Sequence, residues 1–228
     1  MNVYPDVASI ASLMADRTRA IILDVLLDGR ALPASDLARL SGVTPQTISA
    51  HLTKLVEGNL LQVETQGRHR YYRLSGPEVA NALEAISLLA PPVKIRSLRQ
   101  SVEMERLREA RTCYDHLAGQ LGVALTRALV DRGWLQERTG DYIVTEAGAA
   151  RLERFGVDLH ACYKARRHFA KPCLDWSERR HHLGGALGAA ISRRLFELAW
   201  IEKDPSCRAV RVTALGKERL FEEFGLES

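Results

Sequence analysis

The chain has 228 residues, 46% of them hydrophobic and 26% charged, with a formal net charge of +4. That composition excludes a disordered chain, and the length suits two modest domains. No apolar run approaches the roughly 20 residues a membrane helix needs, and Met1 to Ile10 lacks a basic segment ahead of an apolar core. No membrane partner and no secretory leader are therefore expected, and the location expected is the cytoplasm.

The first informative stretch runs from Asp36 to Leu74. Leu37 and Leu40 give a short helix its apolar side, and Ser35 is placed to cap it. Gly42 stands where the chain must turn sharply. Thr44 suits an N-cap and Pro45 the first position of a second helix, which the spacing of Ile48, Leu52 and Leu55 carries to Glu57. That spacing sends the three aliphatic side chains to the core. Thr44, Gln46, Thr47, Ser49, His51 and Lys54 remain on the open face or its flanks, as side chains that can reach base edges or phosphates. Two alternating strands follow around Gln66-Gly67-Arg68, with Arg68, His69 and Arg70 at the tip and Arg73 further along. Helix, turn, helix and basic hairpin, in that order, predict a winged helix-turn-helix that lays its second helix in the major groove of double-stranded DNA.

Charge qualifies this reading. Residues 1–90 hold eight Lys and Arg against nine Asp and Glu, so non-specific affinity should be modest. Between Lys54 and Arg73, however, four cations face Glu57 and Glu64, which leaves steering to the wing.

With these residues in view, the first ninety positions resemble the ArsR (arsenic-repressor-type) family of bacterial winged-helix regulators. The likeness rests on Ala15 to Arg19 with Ile22-Leu23, on Asp36-Leu37-Ala38, on Thr47 to Leu55 and on Gly67 to Leu74. It implies a homodimeric transcription factor, usually a repressor that leaves an inverted-repeat operator when an inducer binds. It also implies a dimerisation role for the first helix, near Val7 to Leu13, and for the helix after the wing. Metal-sensing members place thiols before the recognition helix, or His and acidic ligands after the wing. Here Ser35–Leu40 and Pro77–Ala90 contain neither Cys nor His, so the usual family metal sites are expected to be absent and no cofactor is identified.

Beyond the wing, Ser75-Gly76-Pro77 opens a helix with Val79, Leu83, Ile86 and Ala90 on one side, stopped by Pro91-Pro92. Residues 1–92 are thus expected to form the DNA-binding and dimerisation domain. Residues 93–112, six cations against three anions, read as a connecting helix. From Cys113 the chain repeats itself: His116-Leu117-Ala118-Gly119-Gln120-Leu121-Gly122 returns as His182-Leu183-Gly184-Gly185-Ala186-Leu187-Gly188. A leucine-type stripe, Gly133-Trp134-Leu135 against Ala199-Trp200-Ile201, Thr145 against Thr213 and Phe155-Gly156 against Phe224-Gly225 follow in the same order. This predicts a C-terminal domain over 113–228 built from two helix–hairpin–helix repeats, 113–159 and 173–228, paired about a pseudo-two-fold axis. The fold class expected for the whole chain is mainly α with small β-hairpins (α+β). The repeat glycines 119, 122, 185 and 188 are read as interior helix positions kept bare for close packing, or for a ligand against the backbone.

Each repeat is preceded by a related tetrapeptide, Cys113-Tyr114-Asp115-His116 and Cys173-Leu174-Asp175-Trp176. Cys113, Asp115, His116, Cys173 and Asp175 are thus candidates for a metal site, a redox pair or an anchor for a small-molecule effector. The competing reading is buried thiols and helix-capping aspartates. Cations from Lys164 to His168 and from Arg179 to His182 suggest a solvated face or an anion site. There is no phosphate-binding glycine loop after a strand, no Gly-x-Ser-x-Gly and no His-Glu-x-x-His, so an enzyme is not expected.

Overall fold

The computed structural model describes residues 4–91, 93–205 and 207–226. Pro92, half of the expected helix stop, lies outside the described residues, as do the extreme ends of the chain. Two compact units separate between Leu83 and Glu84.

The first unit opens with α1 (Val7–Met14) and α2 (Arg17–Val25), capped by the carboxylates of Asp6 and Asp16. Arg19 reaches back to the carbonyls of Leu13 and Ser12, so the last turn of α1 is satisfied by α2. A single 3-10 turn ends at Gly29, and β1 (Leu32–Pro33) leads into α3 (Ala34–Ser41). The helix does not start after Ser35 as expected. Its N-cap is Pro33, without a side-chain capping bond, because Leu32 and Pro33 are held extended by pairing with the wing.

Gly42, at φ 68°, closes α3, and α4 spans Pro45–Glu57 with the Thr44 hydroxyl accepting from the Thr47 amide. The wing strands β2 (Leu61–Gln66) and β3 (His69–Leu74) pair antiparallel, and the sheet order is β1-β3-β2. Ile22, Leu23, Leu37, Ile48, Leu52, Leu55 and Leu74 form the core beneath them. Helix α5 covers Pro77–Leu89 and contains the division between the units, nine residues earlier than the expected boundary at 92. Glu84, the first residue of the second unit, is buried and paired with Arg208 Nη1 of that unit at 2.6 Å.

In the second unit α6 (Leu98–Glu109), capped by Ser97, is largely exposed and packs on elements of its own unit. Then one order of elements occurs twice. The first run is β4 (Arg111–Cys113), β5 (His116–Ala118), α7 (Gly119–Asp131), β6 (Leu135–Arg138), β7 (Asp141–Val144) and α8 (Glu146–Phe155). After α9 (Leu159–Lys164) come β8 (Lys171–Leu174), β9 (His181–Gly184), α10 (Gly185–Glu197), β10 (Ile201–Lys203), β11 (Val210–Val212) and α11 (Ala214–Phe224). The leading hairpins β4–β5 and β8–β9 depart from the expected helix–hairpin–helix repeat: Leu117 and Leu183 lie on strands ahead of the helices.

Gly119 and Gly185 are accordingly the first residues of their helices, not interior ones. Their φ values of 77° and 82° let a strand turn straight into a helix. Thr145 and Thr213 each cap the following helix.

The two runs pack crosswise: α7 lies on β9, and α10 on β5. Arg132 donates to the Phe224 carbonyl and Arg194 to that of Phe155, both at 3.0 Å, so each run caps a helix end of the other. Trp134 and Trp200 are buried in the shared core.

Candidate functional site

Burial of Ile48, Leu52 and Leu55 fixes the rotation of α4. The opposite face then carries Gln46, Thr47, Ser49 and Lys54, all exposed, beyond the exposed cap Thr44. The Thr44 and Thr47 hydroxyls are 2.9 Å apart, and Ser49 Oγ donates to the Pro45 carbonyl. Local bonds thus preset the first turn, and its positive dipole end is available to a phosphate. His51 behaves differently. It is half-buried, with Nδ1 3.5 Å from Asp16 Oδ1, so it leans on the junction of α1 and α2. The Arg19 amide, aided by His51, holds the Asp16 carboxyl below its usual range.

At the wing, Gly67 at φ 60° and Arg68 make a two-residue turn between the paired Gln66 and His69. Arg68, His69 and Arg70 are exposed there. Arg73 is engaged with Glu64 at 2.6 Å, so the cations offered by the tip are Arg68 and Arg70.

A second constellation lies in the C-terminal unit. Cys113 stands directly across its hairpin from His116, and Cys173 directly across its own from His182. Opposed residues on an antiparallel pair project from one face, and strands β5 and β9 are packed together. The result is one group of four ligand-type side chains whose donor atoms all lie within 4.8 Å of one another. The two sulfurs are 3.9 Å apart and the two imidazole centroids 5.2 Å. Cys113, His116 and His182 are buried, at 1%, 3% and 0% exposure, and Cys173 is partly so.

Each imidazole has a carboxylate behind it. Asp115 Oδ1 is 3.4 Å from His116 Nδ1, and Asp175 Oδ2 is 3.4 Å from His182 Nδ1, the latter an electrostatic contact without hydrogen-bond alignment. Arg167 fixes Asp115 from the other side. Asp175 is held by Arg111 Nη2 at 2.9 Å and by the Gly119 amide at 2.7 Å. It does cap a helix, as one reading of the sequence has it, but the helix α7 belongs to the other run.

The electrostatics follow from this packing. Burial opposes ionisation of Asp115, yet hydrogen bonds from His116 and Arg167 outweigh it and bring the carboxyl down to about 2. The same contest, won by His182 and Arg111, places Asp175 well below the carboxylate range. Burial disfavours a charged His182, but Asp175 and the Cys173 sulfur raise it to about 9. The two sulfurs act on each other in opposite senses: the contact with Cys113 and the neighbouring imidazoles lower Cys173, while the contact with Cys173 and burial raise Cys113.

Of the sequence candidates, Cys113, Asp115, His116, Cys173 and Asp175 thus come together. The sequence reading missed His182, Arg111 and Arg167. His182 was legible in one respect: the cysteines and aspartates recur at an interval of sixty, but the histidines at sixty-six. The second hairpin simply has a longer loop. Arg167 and His182, grouped with a basic run, serve this cluster instead.

A helix-turn-helix domain model matches residues 14–64. Over 213 residues the chain is 46% identical to the HTH-type transcriptional regulator YdfF of Bacillus subtilis (strain 168), covering 93% of this chain and 94% of that one. The HTH-type transcriptional regulator Rv0324 of Mycobacterium tuberculosis is 34% identical over 85 residues, 37% of each chain. A solved structure from Mycobacterium bovis is described as a homodimeric winged helix-turn-helix DNA-binding domain of a possible ArsR-family regulator. It matches 39% of this chain and 89% of its own at 28% identity, with a TM-score of 0.34. Among the described residues no helix is long and apolar enough to cross a membrane.

Proposed function

We propose that this chain, which belongs to the helix-turn-helix transcriptional regulators, is a homodimeric repressor that reads an inverted-repeat operator in double-stranded DNA. One observation carries the reading: α4 buries Ile48, Leu52 and Leu55 while Gln46, Thr47 and Ser49 stand exposed in its first turns. Side chains of that kind, on the leading end of such a helix, are the ones that meet base edges. Arg68 and Arg70 at the wing would hold the phosphate backbone, with His69 between them. The dimer is supported by apolar side chains left exposed on α1, where Val7 is 70% and Ile10 38% accessible, and on α5, where Leu89 is 86% accessible. The C-terminal unit is the place for an effector, a small molecule or a metal ion, that changes the spacing of the two recognition helices. No catalysis is assigned to it, and the expected setting is the cytoplasm.

The test is selection from a random duplex pool, followed by titration of the enriched sequence at fixed salt against bulk competitor DNA. A two-fold related motif bound by two chains is the expected result. Equal affinity for enriched and bulk DNA would remove the reading.

A further inference from the structure

We propose that Cys113, His116, Cys173 and His182 form a closed, four-coordinate site for a zinc-class divalent cation that staples hairpin β4–β5 to hairpin β8–β9. The donor set is two thiolates and two imidazoles, the combination that suits a borderline metal in tetrahedral geometry and excludes hard oxygen-seeking ions. Zinc–sulfur bonds of about 2.3 Å at a tetrahedral centre put two sulfurs roughly 3.8 Å apart. Cys113 Sγ and Cys173 Sγ stand 3.9 Å apart.

The imidazoles supply an independent observation. His116 Nε2 and His182 Nε2 are buried without a hydrogen-bond partner. Core histidines ordinarily find one, since an unsatisfied buried nitrogen costs more than its bond would return. Both belong to the cluster whose donor atoms converge, and both have a carboxylate near the opposite nitrogen, the outer partner that orients metal-bound histidine. The surrounding backbone leaves room: a Cβ on Gly184 would come within 3.2 Å of His116 Nε2 and 3.4 Å of the Cys173 Cβ.

Two other readings account for less. A dithiol redox pair explains the sulfurs but gives no role to two buried imidazoles and the carboxylates behind them. A plain apolar core explains the burial but leaves the nitrogens unmatched. The site also differs from the two metal sites implied by the family resemblance, since all four residues lie in the second unit.

The experiment uses the full-length chain, purified under reducing conditions, stripped with a chelator and titrated with Co2+. We expect one Co2+ per chain, with the intense visible d–d absorption of a tetrahedral ion and a sulfur-to-cobalt charge-transfer band, both abolished by added Zn2+. The double variant Cys173→Ser/His182→Gln loses stoichiometric binding, and Cys162→Ser keeps it. Asp115→Asn weakens binding by about ten- to a hundredfold while keeping the spectrum. Because the double variant can fail to fold, the unaltered protein supplies a second measurement: Zn2+ should protect Cys173, the more exposed of the two thiols, from alkylation. A weak octahedral spectrum overturns the assignment. So does full binding by the double variant, or alkylation of Cys173 indifferent to Zn2+. DNA binding is scored separately, so a chain that reads its operator yet holds no metal defeats this inference alone.

Discussion

Phe155 and Phe224, the last residues of α8 and α11, meet edge-on with ring centroids 5.3 Å apart. Each also takes the tryptophan of the opposite run: Phe155 lies 5.4 Å from Trp200, and Phe224 5.8 Å from Trp134. Neither run closes its own core; each ring completes the other's. Replacing Phe224 with Ala should therefore destabilise the whole second unit, by about 3–5 kcal/mol. Chemical denaturation followed by tryptophan fluorescence measures it, since Trp134 loses its neighbour. If Phe155→Ala is then added, the combined loss should fall short of the sum, because the two rings pack on each other.

A bare helix position gives a prediction whose sign is the test. On an exposed helix Gly→Ala stabilises by up to about 1 kcal/mol. At Gly216 the added Cβ would sit 1.9 Å from the Trp200 carbonyl oxygen, a backbone atom that no rotamer change can move. Gly216→Ala should lower the melting temperature, at a cost of about 1–3 kcal/mol. Gly148→Ala, against the Trp134 carbonyl at 2.0 Å, should behave alike. An increase in melting temperature for either would mean that the helix does not approach the tryptophan turn so closely.

These positions also mark how far the amino-acid sequence could be read. Helix α4 was legible because local chemistry decides it: Thr44 caps, Pro45 starts, and three aliphatic residues at helical spacing set its face. The start of α3 differs from the expected one because Pro33 is kept extended by strand pairing with Tyr71, a tertiary cause that no local signal reports. The hairpins β4–β5 and β8–β9 escaped for a similar reason. Three- and four-residue strands carry little periodicity, and the buried charge of Arg111, stacked on Trp176 and bonded to Asp175, looks in sequence like the end of a charged helix. The cysteines and aspartates could be picked out from their repetition. His182 could be added only by treating the two hairpin loops as unequal in length.

The wing predicts a salt effect. Arg68 and Arg70 are exposed at the turn, whereas Arg73 is occupied by Glu64. Replacing Arg68 and Arg70 together by Ala should weaken binding to all duplexes alike and reduce the slope of log affinity against log salt by about 2, roughly 0.9 for each phosphate no longer neutralised. Fluorescence anisotropy over a salt series reads both. Unchanged slope would take the wing off the backbone.

Base reading makes the opposite prediction. Gln46→Ala should leave the salt slope alone and flatten preference at one position of each half-site, worth about 1–3 kcal/mol of discrimination there. Competition with singly substituted operators is the measurement. His51→Ala should do less, because its ring already leans on Asp16.

Asp175 is the point where several buried requirements meet. Its Oδ1 accepts from Arg111 and from the Ser177 amide and hydroxyl, and its Oδ2 accepts from the first amide of α7. Arg111 and Asp175 both have fully buried side chains. Removing one partner leaves the other charge without compensation, so Asp175→Ala should cost about 3–5 kcal/mol. Arg111→Met, which keeps much of the side-chain length, leaves an anion that still has amide donors and should cost less. The double variant is the informative one: with both charges gone it should be more stable than Asp175→Ala alone, because the stranded guanidinium has been removed with its partner. Urea unfolding of the four proteins closes the cycle. If the double variant were instead as unstable as the two single losses added together, the pair would not interact, and Asp175 would act on α7 alone.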